Sequence, residues 1–288
     1  MKKRVYRLML MLFLVALAVT PSMVSRAGDK ITAEQVVAKH LEAIGPAETR
    51  ASIKSILAGG KATVTFRSPA TAQLSGQVVL ASDGKKNMVG MIFEDSKYSH
   101  EKFGFDGQEV TAGYVRPGVH STLGDFLLTH KIILKQGVVS GALSTAWPLL
   151  NLSDKTAKLE YAGTKKIRDR SAHELRYLPR GGSDIEIRLY FDAENYHHLR
   201  TEYSRVITAQ LGASIDASAA QRETRYKLTE DFSEFKRAGA LVLPHSYKLQ
   251  LELDTRGGTY LAEWKLALSD FDFNQTIPPS SFKLSPAQ

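Results

Sequence analysis

Strict two-residue alternation in the C-terminal half of the chain limits its fold more than any other feature. In the best stretch, apolar Ile185, Ile187, Leu189 and Phe191 alternate with Glu186, Arg188, Tyr190 and Asp192. Residues 247–254 and 260–268 repeat the pattern. Because successive side chains of a strand point to opposite faces, each segment is predicted to bury one face and to expose the other. This pattern predicts an antiparallel sheet.

Turn signals join further alternating segments into hairpins. Asp83-Gly84 separates 76–81 from 87–94, and Asp106-Gly107 separates 102–105 from 109–114. Asp-Gly between alternating segments is a strong hairpin signal. The remaining predicted strands are 62–66, 159–161, 173–178, 185–191, 198–207, 224–228, 246–254 and 260–271. The polar stretch Ala209 to Gln221 is predicted to be a hairpin loop.

Helical periodicity occurs at two places. Thr32 to Gln35 fits a capping box that opens a helix ending before Gly45-Pro46, and a short helix follows over 46–54. The second place is Leu123 to Leu150, here called the insert, whose apolar residues follow helical spacing on both sides of Gly137. We therefore expect an α+β fold, in which one curved antiparallel sheet of about eleven strands wraps as an open half-barrel over a few helices.

Residues 1–27 have the pattern of a secretory signal peptide. Basic residues precede the uninterrupted apolar run Leu8 to Val19, and the small residues Ser25 and Ala27 frame Arg26. Twelve apolar residues are too few for a bilayer core that needs about 20. We expect cleavage after Ala27, a mature domain over 28–288, a periplasmic location and no stable membrane insertion after cleavage.

The charge balance argues against a nucleic-acid-binding protein. The chain carries +8, but five of its 38 basic residues and none of its 30 acidic residues lie in 1–27, so +3 remains. The short basic clusters 165–170 and 200–205 are interrupted by acids and are typical of a solvated surface. The chain has no cysteine, which excludes disulfides, thiolate metal sites and cysteine nucleophiles.

Three short segments resemble recurring parts of one protein family. Phe105-Asp-Gly-Gln108 resembles a short turn before an aromatic strand, and Phe191 to Tyr196, followed by Leu199-Arg200, resembles a strand-turn-strand. Ile277 to Pro286 resembles a closing segment in which phenylalanine precedes a strand that ends in proline. Together these segments resemble the lipoprotein-carrier superfamily of the bacterial periplasm. The dedicated carrier of that superfamily has an arginine-proline pair, whereas the corresponding Val79 to Lys85 has none.

The resemblance implies a half-barrel whose apolar concave face is plugged by helices and holds a lipid, acyl chain or other apolar ligand. The predicted cavity residues are Phe126, Leu127, His130, Leu143, Trp147, Leu189, Leu249, Leu251 and Trp264. The missing arginine-proline pair favours a relative with an apolar cargo other than lipoproteins. Outer-membrane lipoprotein or lipid trafficking is the process that the family implies.

Residues that could support catalysis have simpler structural interpretations. His197 and His198 should point to opposite faces of a strand and so should not chelate one ion. His130 fits a hydrogen-bonded core histidine or a cavity residue, and His245 fits turn chemistry. Asp270 and Asp272 could form an acid–base pair, but a solvated strand edge explains them better. The sequence predicts a protein that is not an enzyme and that has no metal and no cofactor.

Two alternatives to an apolar-ligand binder stay open at this point. The same fold could serve as an envelope sensor or scaffold that binds a protein partner. A secreted hydrolase is the weaker alternative, since no Gly-x-Ser-x-Gly elbow or phosphate-binding loop is present.

Overall fold

The computed structural model describes residues 31–150, 157–208, 223–255 and 257–283. The predicted signal peptide with its cleavage site at Ala27 and the predicted loop Ala209 to Gln221 both lie outside these residues, and both remain expectations. None of the described helices is long and apolar enough to cross a membrane.

Four α-helices and fourteen strands occur in the described residues. The helices are α1 Ala33–Ile44, α2 Ala47–Ser52, α3 Thr122–Thr129 and α4 Ile132–Lys135. The strands before the insert are β1 Ser55–Ser68, β2 Ala72–Asp83, β3 Lys86–Phe93, β4 His100–Phe105, β5 Val110–Ala112, β6 Tyr114–Arg116 and β7 Val119–His120. The strands after it are β8 Ala157–Ile167, β9 Arg170–Pro179, β10 Glu186–Asp192, β11 His198–Ile207, β12 Thr224–Ala238, β13 Leu241–Thr255 and β14 Gly258–Phe273.

Twelve of these strands form one open antiparallel sheet, which confirms the predicted half-barrel class. The order is β5-β4-β3-β2-β1-β14-β13-β12-β11-β10-β9-β8. The chain therefore starts in the middle of the sheet and runs to one edge at β5. It then crosses to the other edge at β8 and returns to the middle at β14, beside β1. The connection between the two edges contains the insert.

The local signals at the start of α1 and at the hairpins are confirmed. The Thr32 side chain accepts from the Gln35 amide at 3.3 Å, and the Gln35 side chain accepts from the Thr32 amide at 2.9 Å. Asp106 accepts from the amides of Gln108 and Glu109, and Gly107 has φ +98°, which glycine adopts without steric cost. Asp192 closes the turn between β10 and β11 in the same way.

The insert is less helical than its periodicity predicts. It contains α3, α4 and two short 3₁₀ stretches, over Gly141–Leu143 and over 148–150, rather than two long helices. The break at Gly137 is confirmed, with φ +67°, and Ser140 and Gly141 also have positive φ. Three residues in the left-handed region within five positions prevent a continuous helix, although most apolar side chains of the insert are still buried.

Other predicted details are wrong for tertiary reasons. Tyr114 was expected to continue the strand of Val110, but the ladder ends at Ala112 and β6 pairs with β7 in a separate two-stranded sheet. Tyr190 was expected to face water and is buried in a small cluster with Ile167 and Leu199 on the outer face. The strand β10 is therefore buried on both faces at Tyr190, because Ile167 and Ala172 of the β8–β9 hairpin pack against its outer face.

The predictions for His245 and for the two aspartates of β14 have different outcomes. His245 lies within β13 rather than in a turn. Asp270 and Asp272 lie on a solvated strand edge as predicted: both are exposed, and the residues of β14 beyond Ala267 pair with β1 alone. The closing segment forms a 3₁₀ turn over Pro279–Ser281, and Phe282 packs on Ala81 and Met88.

Candidate functional site

All nine predicted cavity residues lie at the inner face of the sheet, which we define as the face that the insert covers. Every one of them is buried. The eight apolar ones belong to a single core cluster, to which the insert contributes Phe126, Leu127, Leu143 and Trp147 and the sheet contributes Leu189, Leu249, Leu251 and Trp264. The structure therefore brings the predicted residues together, packed against one another across the boundary between insert and sheet. Their role in ligand binding stays a prediction.

Trp147 marks the contact between the insert and the far half of the sheet. Its ring stacks on that of His198, with the centroids 5.0 Å apart. Its indole N–H donates to His40 Nε2 at 3.4 Å, and His40 Nδ1 lies 3.0 Å from the carbonyl of Tyr196. A neutral His40 that carries its proton on Nδ1 satisfies both contacts. Burial accordingly lowers the pKa of His40 to about 4.

His198 lies under the insert and His197 on the opposite face, as strand geometry predicts. His198 is surrounded by Trp147, Phe191 and Phe232, whereas His197 stacks on Phe235 with the ring centroids 4.2 Å apart. Burial lowers the pKa of His198 well below its usual range. The Nδ1 atom of His198 has no hydrogen-bond partner among the described residues.

His130 is a core residue with an incomplete set of partners. It packs on Phe126 and is 3% exposed, and its Nδ1 lies 3.6 Å from Asp184, too far for a hydrogen bond. Burial lowers its pKa, which the nearby Asp184 carboxylate partly offsets. In the described part of the chain, no three histidine or acidic side chains come together as a metal site.

Two buried carboxyls on the inner face are the polar features that sequence reasoning missed. Glu230 accepts from the Ser140 amide at 2.8 Å, from the Tyr203 hydroxyl at 2.6 Å and from the Tyr247 hydroxyl. It is fully buried, and burial raises its pKa to about 7, partly offset by these hydrogen bonds. Glu230 thus connects three strands to the middle of the insert.

Glu101 has the same role where the insert begins. It accepts from the Ser121 hydroxyl at 2.8 Å and from the Tyr98 hydroxyl at 2.5 Å. The Ser121 hydroxyl also caps α3 by accepting from the Gly124 amide, and the Trp264 indole donates to the Tyr98 hydroxyl. Burial raises the pKa of Glu101 to about 7.

A signal for both carboxyls is present in the alternation. Glu101 is in phase with Phe103 and Phe105, and Glu230 is in phase with Leu228 and Phe232. An acid in an apolar phase predicts a buried carboxyl. The signal at Glu230 was missed because the predicted strand ended at Leu228, whereas β12 continues to Ala238.

The insert is attached to the sheet only through side chains. Among the described residues, no backbone–backbone hydrogen bond joins Leu123 to Leu150 to the twelve-stranded sheet. The polar contacts besides Glu230 are Asn87 Nδ2 to the Leu134 carbonyl, Tyr177 to Gln136, and Thr145 to Ser82 and Gly84. Lifting the insert would therefore leave the ladder of the sheet intact.

Close packing at Gly141 leads to a prediction about this attachment. A Cβ at Gly141 would lie 2.7 Å from His198 Nδ1 and 3.3 Å from Phe232, and the residue has φ +49°. Gly118 also has positive φ, but a Cβ there meets nothing within 4 Å. We expect Gly141→Ala to lower the free energy of unfolding by about 2 kcal/mol more than Gly118→Ala does. Urea titration measures both losses, and equal losses would show that Gly141 does not pack against the sheet.

The chain is similar to several solved structures at low sequence identity. No protein-family model and no curated protein sequence matches the chain. A LolA superfamily protein from Nitrosomonas europaea is 14% identical, with a TM-score of 0.46 over 88% of this chain and 97% of that one. An outer membrane lipoprotein-sorting protein domain from Vibrio parahaemolyticus is 10% identical, with a TM-score of 0.44 over 86% and 95%.

A DUF1329 family protein from Desulfovibrio piger is 8% identical, with a TM-score of 0.39 over 86% of this chain and 95% of that one. Each of these three is a solved structure that the chain is similar to at low sequence identity.

Proposed function

We propose that this chain is an exported binding protein that holds a lipid, an acyl chain or another apolar ligand between the inner face of the half-barrel and the insert. The observation that carries the proposal is the mode of attachment of the insert: a largely apolar cover held by side chains alone. Large apolar surfaces beneath a removable cover are suited to ligands of this kind. Lipid or lipoprotein trafficking in the envelope is the process in which such a protein would act.

Displacement of the insert should be visible in Trp147. The chain has only two tryptophans, so Trp264→Phe leaves Trp147 as the single emitter. When palmitate is titrated into this variant, Trp147 emission should shift to longer wavelength, because the indole leaves His198 and reaches water. The matched variant Trp147→Phe leaves Trp264, which lies on β14 and should shift less.

Native mass spectrometry of the same samples reports binding independently. Bound palmitate with unchanged Trp147 emission would show that the insert is fixed core and would end the moving-cover proposal. Absence of any lipid, acyl or other apolar ligand, both after purification and after titration, would contradict ligand binding itself. Turnover of chromogenic esters would instead favour the hydrolase alternative.

Export is the second part of the proposal, and it rests on the pattern of residues 1–27. Protein recovered from the periplasmic fraction should begin at Gly28, because signal peptidase reads the small residues Ser25 and Ala27. N-terminal sequencing measures this. A start at Met1 with sedimentation in the membrane fraction would contradict a soluble exported carrier.

One observation favours the alternative of an envelope sensor or scaffold that binds a protein. The outer face of β2 to β4 has a cleft of about 600 Å³ whose lining includes Val79 and Ile92. The two residues are diagonal neighbours on this face and are 37% and 70% exposed, which is unusual for large apolar residues that lie close together. Recovery of a stable protein complex without bound lipid would favour this alternative.

A further inference from the structure

Charged residues align across the outer face in the middle of the sheet. Arg200, Asp231, Lys248 and Lys265 occupy directly opposed positions on β11, β12, β13 and β14. Lys248 and Lys265 are thus like charges that face each other, an arrangement that destabilises an antiparallel pair. Glu263 compensates in part, since it lies 3.2 Å from Lys248 and 3.1 Å from Lys265.

The β8–β9 hairpin contributes another cation to this region, although neither of its strands is next to β12 in the sheet. Arg168, at the tip of the β8–β9 hairpin, lies 3.1 Å from Asp231, which also contacts Arg200 at 2.8 Å and Lys248 at 3.2 Å. Arg168 has φ +54°, a backbone conformation that residues other than glycine rarely adopt. A single buried carboxylate therefore serves three cations, and the hairpin tip is held over the sheet.

Positive charge exceeds negative charge in this region. Five cations (Lys61, Arg168, Arg200, Lys248 and Lys265) surround two carboxylates (Asp231 and Glu263), which leaves +3. Glu202, at the margin, lies 3.3 Å from Lys227 and 3.2 Å from Arg200, and counting Glu202 together with Lys227 leaves the total at +3. Lys61 has no ion-pair partner in the described residues. The excess charge is not explained by stability, because each added like charge costs free energy.

The excess lies in a cleft of about 440 Å³. Lys61, Arg168, Lys248 and Lys265 line it, together with the hydroxyl-bearing residues Thr63, Ser233 and Ser246 and one acid, Asp231, which its three cations already neutralise. Cations from three separate parts of the sheet and several hydroxyl donors thus converge on one open volume. We infer that this cleft binds a phosphate-bearing anion. A phosphate offers the charge and the several acceptor oxygens that such a donor set matches.

Two sources could supply this chemistry: the headgroup of an anionic phospholipid or a soluble phosphate. The site lies on the face opposite the insert, so it does not depend on the apolar ligand proposed above. Its test uses the whole mature protein, inorganic pyrophosphate, and vesicles of phosphatidylglycerol or phosphatidylcholine at fixed salt.

The variant Lys61→Gln/Lys265→Gln removes two exposed cations of the cleft without touching the core. The control Lys97→Gln/Lys158→Gln removes the same net charge from exposed positions elsewhere. We expect the wild type and the control to bind pyrophosphate in calorimetry or phosphatidylglycerol vesicles in co-sedimentation. The cleft variant should bind about tenfold or more weakly.

Binding of pyrophosphate without vesicle binding would assign the site to a soluble phosphate, and vesicle binding alone would assign it to a lipid headgroup. The inference is overturned if the wild type binds neither, or if the control loses as much affinity as the cleft variant. In the latter case net charge rather than the cleft would account for binding.

Discussion

Replacing Leu251 with aspartate should cost the domain about 5 kcal/mol or more, enough to unfold much of it. Leu251 is fully buried on β13, with Leu228 and Ala262 directly opposite on the neighbouring strands. The variant removes a packed side chain and places an unpaired charge in an apolar environment. Most domains are stable by only about 5–15 kcal/mol. Urea titration followed by circular dichroism measures the loss.

The matched control lies one residue further along the same strand. Glu252 is exposed and faces Lys227 across the strand pair, so Glu252→Gln, which adds no like charge, should change stability by no more than about 0.5 kcal/mol. Comparable losses in the two variants would show that β13 is buried on both faces. The assignment of an inner and an outer face would then be wrong.

Raising the pH should weaken the attachment of the insert at Glu230. Burial raises the pKa of this carboxyl from 4.5 to about 7, so the folded protein holds a proton between these values that the unfolded chain releases. The free energy of unfolding therefore falls as the pH rises through this window, and the loss is complete above the folded pKa. For a shift of this size the loss is about 3 kcal/mol.

Glu230→Gln keeps the shape of the protonated side chain and cannot ionise. Between pH 4.5 and pH 8 the wild type should thus lose about 3 kcal/mol of unfolding free energy that the variant keeps, so the stability of the variant relative to wild type should rise by this amount. His40 and His198 act in the opposite direction, because their lowered pKa values reduce stability as the pH falls below 6.5. Both histidines are present in both proteins and cancel in the difference.

Glu48→Gln is the control, since Glu48 is exposed on α2. As a substitution on the surface, it should change the free energy of unfolding by no more than about 0.5 kcal/mol. Hydrogen exchange at the Ser140 amide, which donates to Glu230, gives a local measurement: exchange above pH 7 should be slower in Glu230→Gln than in the wild type once intrinsic rates are subtracted. A pH-independent difference for Glu230→Gln would contradict a raised pKa at this position.

The sequence alone determined the class of the sheet and most of its local turns. Period-2 alternation and the Asp-Gly turns at 83–84 and 106–107 predict antiparallel hairpins because they depend on neighbours in the chain. The capping box of α1 and the opposite directions of His197 and His198 follow from equally local geometry. The same alternation placed Leu189, Leu249, Leu251 and Trp264 together on the inner face.

Only the tertiary structure decided how the insert covers that face. Its periodicity predicts helices, but residues 137–141 adopt left-handed turns that are stable because Gly141 packs against His198 and Ser140 donates to Glu230. These contacts join residues about 60 to 90 positions apart, and no local pattern in the chain specifies such partners. The cationic cleft is formed for the same reason, because Arg168 at the tip of the β8–β9 hairpin reaches Asp231 on β12. Tyr190 is buried because Ile167, next to Arg168, folds back onto the outer face and packs in the same cluster.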